Sequence, residues 1–71
     1  LYRAKLQQAN LNGSPLVGAD LTQADLSGAV LDGTDLSEAK LDRAILDEAT
    51  LKGATLFKAS LKRASLVDAD F

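Results

Sequence analysis

The residues of this chain with the means to do chemistry are its ten carboxylates, and Asp47 with Glu48 is their densest pair. Two carboxylates serve as acid and base when burial or a neighbouring charge sets their pKa values apart. Nothing beside Asp47 or Glu48 in the sequence would do so, and the expectation for both is a solvated face. The chain has no histidine and no cysteine, so the commonest general base, the thiolate nucleophile and the usual zinc ligands are missing. Its serines have no histidine partner, and a lysine-activated serine would need burial. A calcium-binding β-roll would repeat glycine and aspartate every nine residues, which this chain does not. Its five glycines form neither a GxGxxG nor a Walker pattern. The sequence therefore predicts no catalytic, metal-binding or cofactor-binding residue, no cofactor, and no enzyme.

Charge narrows the partners. Eight basic and ten acidic side chains leave a net charge of −2, too close to balance to argue for nucleic acid or an anionic membrane. No apolar run has the length of a membrane-crossing helix. Along the chain the charges are uneven: residues 10–39 hold five acids and no base, whereas residues 49–66 hold Lys52, Lys58, Lys62 and Arg63 and no acid. Surface drift is one reading. The other is an electrostatic dipole for docking a protein partner or for end-to-end stacking. Val17, Val30, Ile45, Phe57 and Val67 are outward apolar residues on several faces and imply no hydrophobic patch.

What must position these residues is set by a repeat of five. Leucine occupies every fifth position from Leu1 to Leu66, and Phe71 continues the series. Every alanine lies two residues before one of these positions, with Ser14 and Thr34 the only replacements, and every glycine lies two after a leucine. On a helix, at about 100° per residue, successive leucines would lie roughly 140° apart and form no face. On a strand, an odd period would send them to alternate faces. The chain must therefore turn within every repeat. Alanine and leucine share one side of a short extended piece, the residue between them points outward, and the other two residues make a corner where glycine suits a type II turn. Each repeat becomes one side of a closed polygon filled by Ala and Leu. At the inward positions Ser14 and Thr34, an unpaired hydroxyl would be costly, so each is expected to bond a backbone group at its corner.

The number of sides is also legible. Gly13, Gly33 and Gly53 are twenty apart. At that separation five charged pairs are opposite in sign (Lys5 and Asp25, Asp20 and Lys40, Asp32 and Lys52, Glu38 and Lys58, Asp42 and Lys62) and two are alike, Arg43 with Arg63 and Glu48 with Asp68. Four sides per coil fit best. About three and a half coils at the strand spacing of about 4.8 Å make a rod about 17 Å long. Pro15, which lacks a ladder donor, belongs on an edge of the first coil.

Runs such as Ala19-Asp20-Leu21, Ala24-Asp25-Leu26 and Ala69-Asp70-Phe71 resemble the pentapeptide-repeat proteins, whose motif is Ala-(Asp/Asn)-Leu-X-X. The resemblance covers the whole chain and implies an all-β fold, a right-handed quadrilateral parallel β-helix, with residues 1–71 as a single domain. At the middle position Asn10, Asp20, Asp25, Asp35 and Asp70 fit the motif, and Thr50, Thr55, Ser60 and Ser65 are short polar substitutes. Lys5, Pro15, Val30, Lys40 and Ile45 depart from it.

A solenoid presents unpaired strand edges at its ends, which natural ones cap. This chain enters and leaves in register, so the expectation is a segment of a longer protein, with end-to-end association through the coil ends near Phe71. The functional expectation is a non-enzymatic structural or protein-interaction module, similar to the small pentapeptide-repeat proteins of bacteria that abound in cyanobacteria and often lack a known activity. Its protein partner is not legible, neither nucleic acid nor membrane is expected, and a cytoplasmic location is the default. The resemblance also implies a runner-up, a DNA mimic that protects or inhibits a type II topoisomerase. Mimicry needs a long rod with acidic rows, against which stand the short rod and its basic last full coil.

Overall fold

Alanine and leucine of one pentapeptide lie two residues apart on an extended piece and so point to the same side. The computed structural model, which describes residues 1–71, builds every repeat in this way and contains no helix. Each leucine carbonyl accepts a hydrogen bond from the N–H three residues on: Leu1 from Ala4 at 2.9 Å, Leu11 from Ser14 at 3.0 Å, Leu31 from Thr34 at 3.1 Å. In every such turn the second central residue has positive φ and the first does not, which defines a type II turn.

Glycine fills the positive-φ position at five corners, where the sequence predicts it. At the other nine the same conformation, φ 58° to 61°, is held by Arg, Gln, Glu, Lys or Asp. A left-handed L-residue costs roughly 1–2 kcal/mol. Ladder hydrogen bonds offset that cost. At six of the nine the N–H of the strained residue donates to the coil above, as Gln23 does to the Asp42 carbonyl at 2.9 Å. At Lys58, Arg63 and Asp68 the preceding carbonyl, of Phe57, Lys62 and Val67, accepts from the coil below at 2.8 Å.

Successive coils pair in parallel through single residues that are always twenty apart, as in Lys5 with Asp25, Asp20 with Lys40, and Thr50 with Asp70. One coil is therefore four pentapeptides. Leucine N–H groups point up the stack, Leu26 to the Ile45 carbonyl and Leu36 to Thr55 at 2.7 Å. Middle-position N–H groups point down, Asp25 to the Ala4 carbonyl and Lys40 to Ala19 at 2.9 Å. That polarity explains Pro15: it pairs upward with Asp35, and its missing donor would have pointed away from the stack.

The interior is two kinds of side chain. Leu21 through Leu51, with the alanines between them, form a core of twelve buried residues, and Thr34 is the one buried polar residue. Stacking thins toward the ends, where Leu66 is 37% and Leu1 58% exposed. The Cα extents are 20 × 20 × 17 Å, so the short rod is as wide as it is long.

Thr34 refines the expectation made for it. Its hydroxyl donates to the Leu11 carbonyl at 2.8 Å, in the same corner but one coil below. Ser14, half-buried with no coil beneath it, makes no side-chain hydrogen bond. A second threonine hydroxyl, that of Thr50, is buried without any partner.

Candidate functional site

Stacking by twenty sorts the outward residues into four faces and four corners. The carboxylates that looked available for chemistry are mostly engaged in one structural task. At each corner the N–H of the first turn residue has no ladder partner, and at eight of the fourteen corners an Asx side chain supplies one. Asn10, Asp20, Asp25 and Asp35, at the middle position, accept it from the residue two further on, namely Asn12, Thr22, Ser27 and Ser37, at 3.0 to 3.1 Å. Asn12, Asp32, Asp42 and Asp47, themselves first turn residues, accept it from the coil above, from Asp32, Lys52, Lys62 and Val67, also at 3.0 to 3.1 Å.

The second device appears where the motif fails. Val30, Thr50, Ser60 and Ser65 lack the carboxylate that would cap the following corner, and these four corners are the ones capped from below. Ser60 and Ser65 also donate their hydroxyls down to Asp42 and Asp47. Asp47 is thus a structural cap. Its neighbour Glu48 is an exposed corner residue with positive φ.

These hydrogen bonds hold four carboxyls below the usual aspartate range. For Asp20, Asp25 and Asp35 the leading cause is the side chain of Thr22, Ser27 and Ser37 respectively, followed by the backbone N–H of the same residue. For Asp42 it is the Ser60 hydroxyl. A carboxylate favoured in its charged form is a poor general acid at neutral pH.

The four cations that cluster in the sequence disperse in space. Lys52 stands on the corner of Gly13, Gly33 and Gly53, where its ammonium meets Asp70 at 3.5 Å, both side chains exposed. Lys58 lies over the Phe57 ring on a different corner, 5.3 Å from its centroid. Lys62 and Arg63 occupy a third. The five opposite-sign pairs predicted at a spacing of twenty are neighbours in the stack, yet the single ion pair of the chain joins residues eighteen apart. Asp32 and Asp42 show why: each short side chain reaches the backbone N–H of Lys52 or Lys62 before it could meet the ammonium.

One grouping escaped the reading of the sequence. Arg3, Gln23, Arg43 and Arg63 stack on one corner, linked through Arg3 N–H to Thr22, Gln23 N–H to Asp42 and Arg43 N–H to Lys62. The signal was present in the spacing of twenty, where Arg43 and Arg63 counted only as a like-charge pair. Outward apolar residues stay scattered: Tyr2, Ile45 and Val67 lie on different faces or corners, and Val17 and Phe57 share a corner with Ser37 between them. Val30 is half-buried. No pocket opens in the surface, and no three carboxylates gather as metal ligands would.

A closed four-sided coil of type II turns, with leucine and alanine inside, defines a class. The family model for pentapeptide repeats matches residues 1–37 and 34–71, and the chain belongs to that family. Among solved structures it is similar to a pentapeptide repeat protein from Nostoc PCC 7120, with 45% identity over 96% of this chain and 60% of that one, at a TM-score of 0.64. It is also similar to HetL of Nostoc sp. strain PCC 7120, described as involved in heterocyst differentiation regulation, with 33% identity, 92% and 46% coverage and a TM-score of 0.59. A third is a pentapeptide repeat protein from the Arabidopsis thaliana thylakoid lumen, with 38% identity, 94% and 50% coverage and a TM-score of 0.55. The chain spans between 46% and 60% of the length of these structures. Comparison with curated protein sequences finds no match.

Proposed function

We propose that this chain is a non-enzymatic interaction module of cyanobacterial type, a right-handed coil of about three and a half turns that displays side chains in fixed columns about 4.8 Å apart. The carrying observation is the filled interior: the buried inward positions are Leu, Ala and a hydrogen-bonded Thr34, so the chain offers a partner its outward columns and its coil ends and no cavity. Small-molecule chemistry ordinarily requires a concave site that excludes water. The partner on this reading is a protein, and the location cytoplasmic. A second contact lies at the coil end near Phe71, where the N–H groups of Leu56, Leu61 and Leu66 point up the stack toward the place of a further coil.

The test is affinity capture with the protein and with variants altered only at outward positions. The reading predicts capture that is lost in particular outward variants whose circular dichroism is unchanged. Turnover of an ester or phosphate substrate by the purified protein, or capture indifferent to every outward substitution, would contradict it.

A further inference from the structure

The corner of Arg3, Gln23, Arg43 and Arg63 is flanked by two faces, one of Asp20, Lys40 and Ser60, the other of Lys5, Asp25, Ile45 and Ser65. Together they hold six of the eight cations of the chain, Arg3, Lys5, Lys40, Arg43, Lys62 and Arg63. Their three carboxylates are Asp20, Asp25 and Asp42. The rest of the surface holds two cations against seven carboxylates. The rod is therefore polarised across its axis, which reading the charges along the sequence concealed.

None of the six cations forms an ion pair within the protein. The three carboxylates among them are already engaged. Asp20 accepts from Thr22 N–H; Asp25 from Ser27 N–H, Ser27 hydroxyl and Gln7 Nε2; Asp42 from Lys62 N–H and the Ser60 hydroxyl. Arg3 Nε donates to Gln23 Oε1 at 2.8 Å, and its guanidinium lies 5.2 Å from the centre of the Tyr2 ring. Those contacts brace the side chain while leaving both of its Nη groups without a protein acceptor. Guanidinium groups bind carboxylates through two parallel N–H bonds.

We propose that this arginine corner is the docking surface of the module and that it takes an acidic polypeptide segment, one rich in Asp and Glu. The proposal rests on the interaction-module reading and gives its partner a chemistry. Arg43 and Arg63, about 4.8 Å apart on adjacent coils, are its centre, and Lys40 and Lys62 add long-range attraction. Nucleic acid fits less well. Few phosphates could be neutralised by this corner, and the seven carboxylates of the remaining surface would repel the others. Two rods docked side by side would share at most one face of 20 × 17 Å, well below the area of a stable dimer.

The test is amide NMR of the 71-residue protein titrated with a short Asp/Glu-rich peptide, with a DNA duplex and a neutral peptide as comparisons. Shifts are expected at residues 3, 23, 43 and 63 and on the two flanking faces, weakening as added salt brings the screening length below about 10 Å. Replacing both central arginines (Arg43→Gln with Arg63→Gln) should weaken the peptide about tenfold. The pair Lys52→Gln with Lys58→Gln should leave it unchanged. Arg43→Lys with Arg63→Lys, which keeps the charge and loses the fork, should fall between. Absence of shifts at low salt, equal weakening by the two glutamine pairs, or tighter binding of the duplex than of the peptide overturns the proposal. If the peptide fails while partner capture still depends on other outward residues, the docking chemistry falls and the module reading stands.

Discussion

Residues 10–37 and residues 42–67 cap the same N–H groups in two ways. In the earlier stretch Asn10, Asp20, Asp25 and Asp35 reach forward two residues within their own coil. In the later one only the second way occurs, Asp42 and Asp47 reaching across to Lys62 and Val67 in the coil above; the earlier stretch holds it too, in Asn12 and Asp32, which reach up to Asp32 and Lys52. An own-coil cap stabilises one corner whether or not a neighbour is stacked on it. A cross-coil cap exists only when two coils are in register, so it adds to cooperativity between coils, as interfaces between repeats do in other solenoids. The difference shows that four departures from the repeat motif, at Val30, Thr50, Ser60 and Ser65, are compensated from the coil below, whereas the corners after Lys5, Pro15, Lys40, Ile45 and Thr55 go uncapped.

Both regions share the leucine stack, and its loss is the largest effect expected. Leu36→Ala, at a fully buried position, should cost about 2–5 kcal/mol in chemical denaturation, because neighbouring coils held by ladder bonds cannot close the hole. Leu66→Ala, at 37% exposure, should cost clearly less, and so should the outward Asp35→Ala. Equal costs at Leu36 and Asp35 would mean that inside and outside are misassigned.

Next in size are the corners. At Gly33, φ is +68° and an added Cβ meets nothing within 4 Å, so Gly33→Ala carries only the left-handed conformational cost, about 1–2 kcal/mol. The nine corners that hold non-glycine residues set the limit: a much larger loss would point to contacts that the corner does not have.

Acid should weaken both kinds of cap. Asp20, Asp25, Asp35 and Asp42 have pKa values lowered in the folded state, chiefly by hydroxyl donors. Their contribution is therefore fully present above the unfolded aspartate value of about 3.9 and is lost as pH falls through the folded values. Thermal midpoints should be level from neutrality to about pH 5 and drop below about pH 4. If the cross-coil cap ties coils together, protection from amide exchange in residues 61–71 should be lost earlier in Asp42→Ala than in Asp35→Ala. The smallest effect concerns the orphan hydroxyl of Thr50: Thr50→Val should raise stability by up to about 1 kcal/mol in the same denaturation series.

Much of this was legible in the residues. The period of five excluded helix and plain strand, and Gly13, Gly33 and Gly53 with the charge spacing gave four sides. What stayed hidden was whatever depends on which atom a side chain reaches. Asp32 and Lys52 are neighbours as predicted, yet the carboxylate takes the backbone N–H and the ammonium goes to Asp70. Positive φ at Arg, Gln, Glu, Lys and Asp corners leaves no mark in composition, because the ladder imposes it. Arg3, Arg43 and Arg63 form a column only once the chain is wound by twenty, which is why the charge asymmetry was read along the rod and lies across it.

The most direct test of the account is a transplant of one cap into the other region. Asp42→Ala removes the acceptor of Lys62 N–H and should lower the urea midpoint. Ser60 occupies the same face as Asp20 and Lys40, two residues before Lys62, as Asp20 stands two before Thr22. Adding Ser60→Asp to Asp42→Ala should therefore rebuild an own-coil cap and restore at least half of the lost stability in urea unfolding. A double variant no more stable than Asp42→Ala alone would contradict the claim that the two kinds of carboxylate do one structural job.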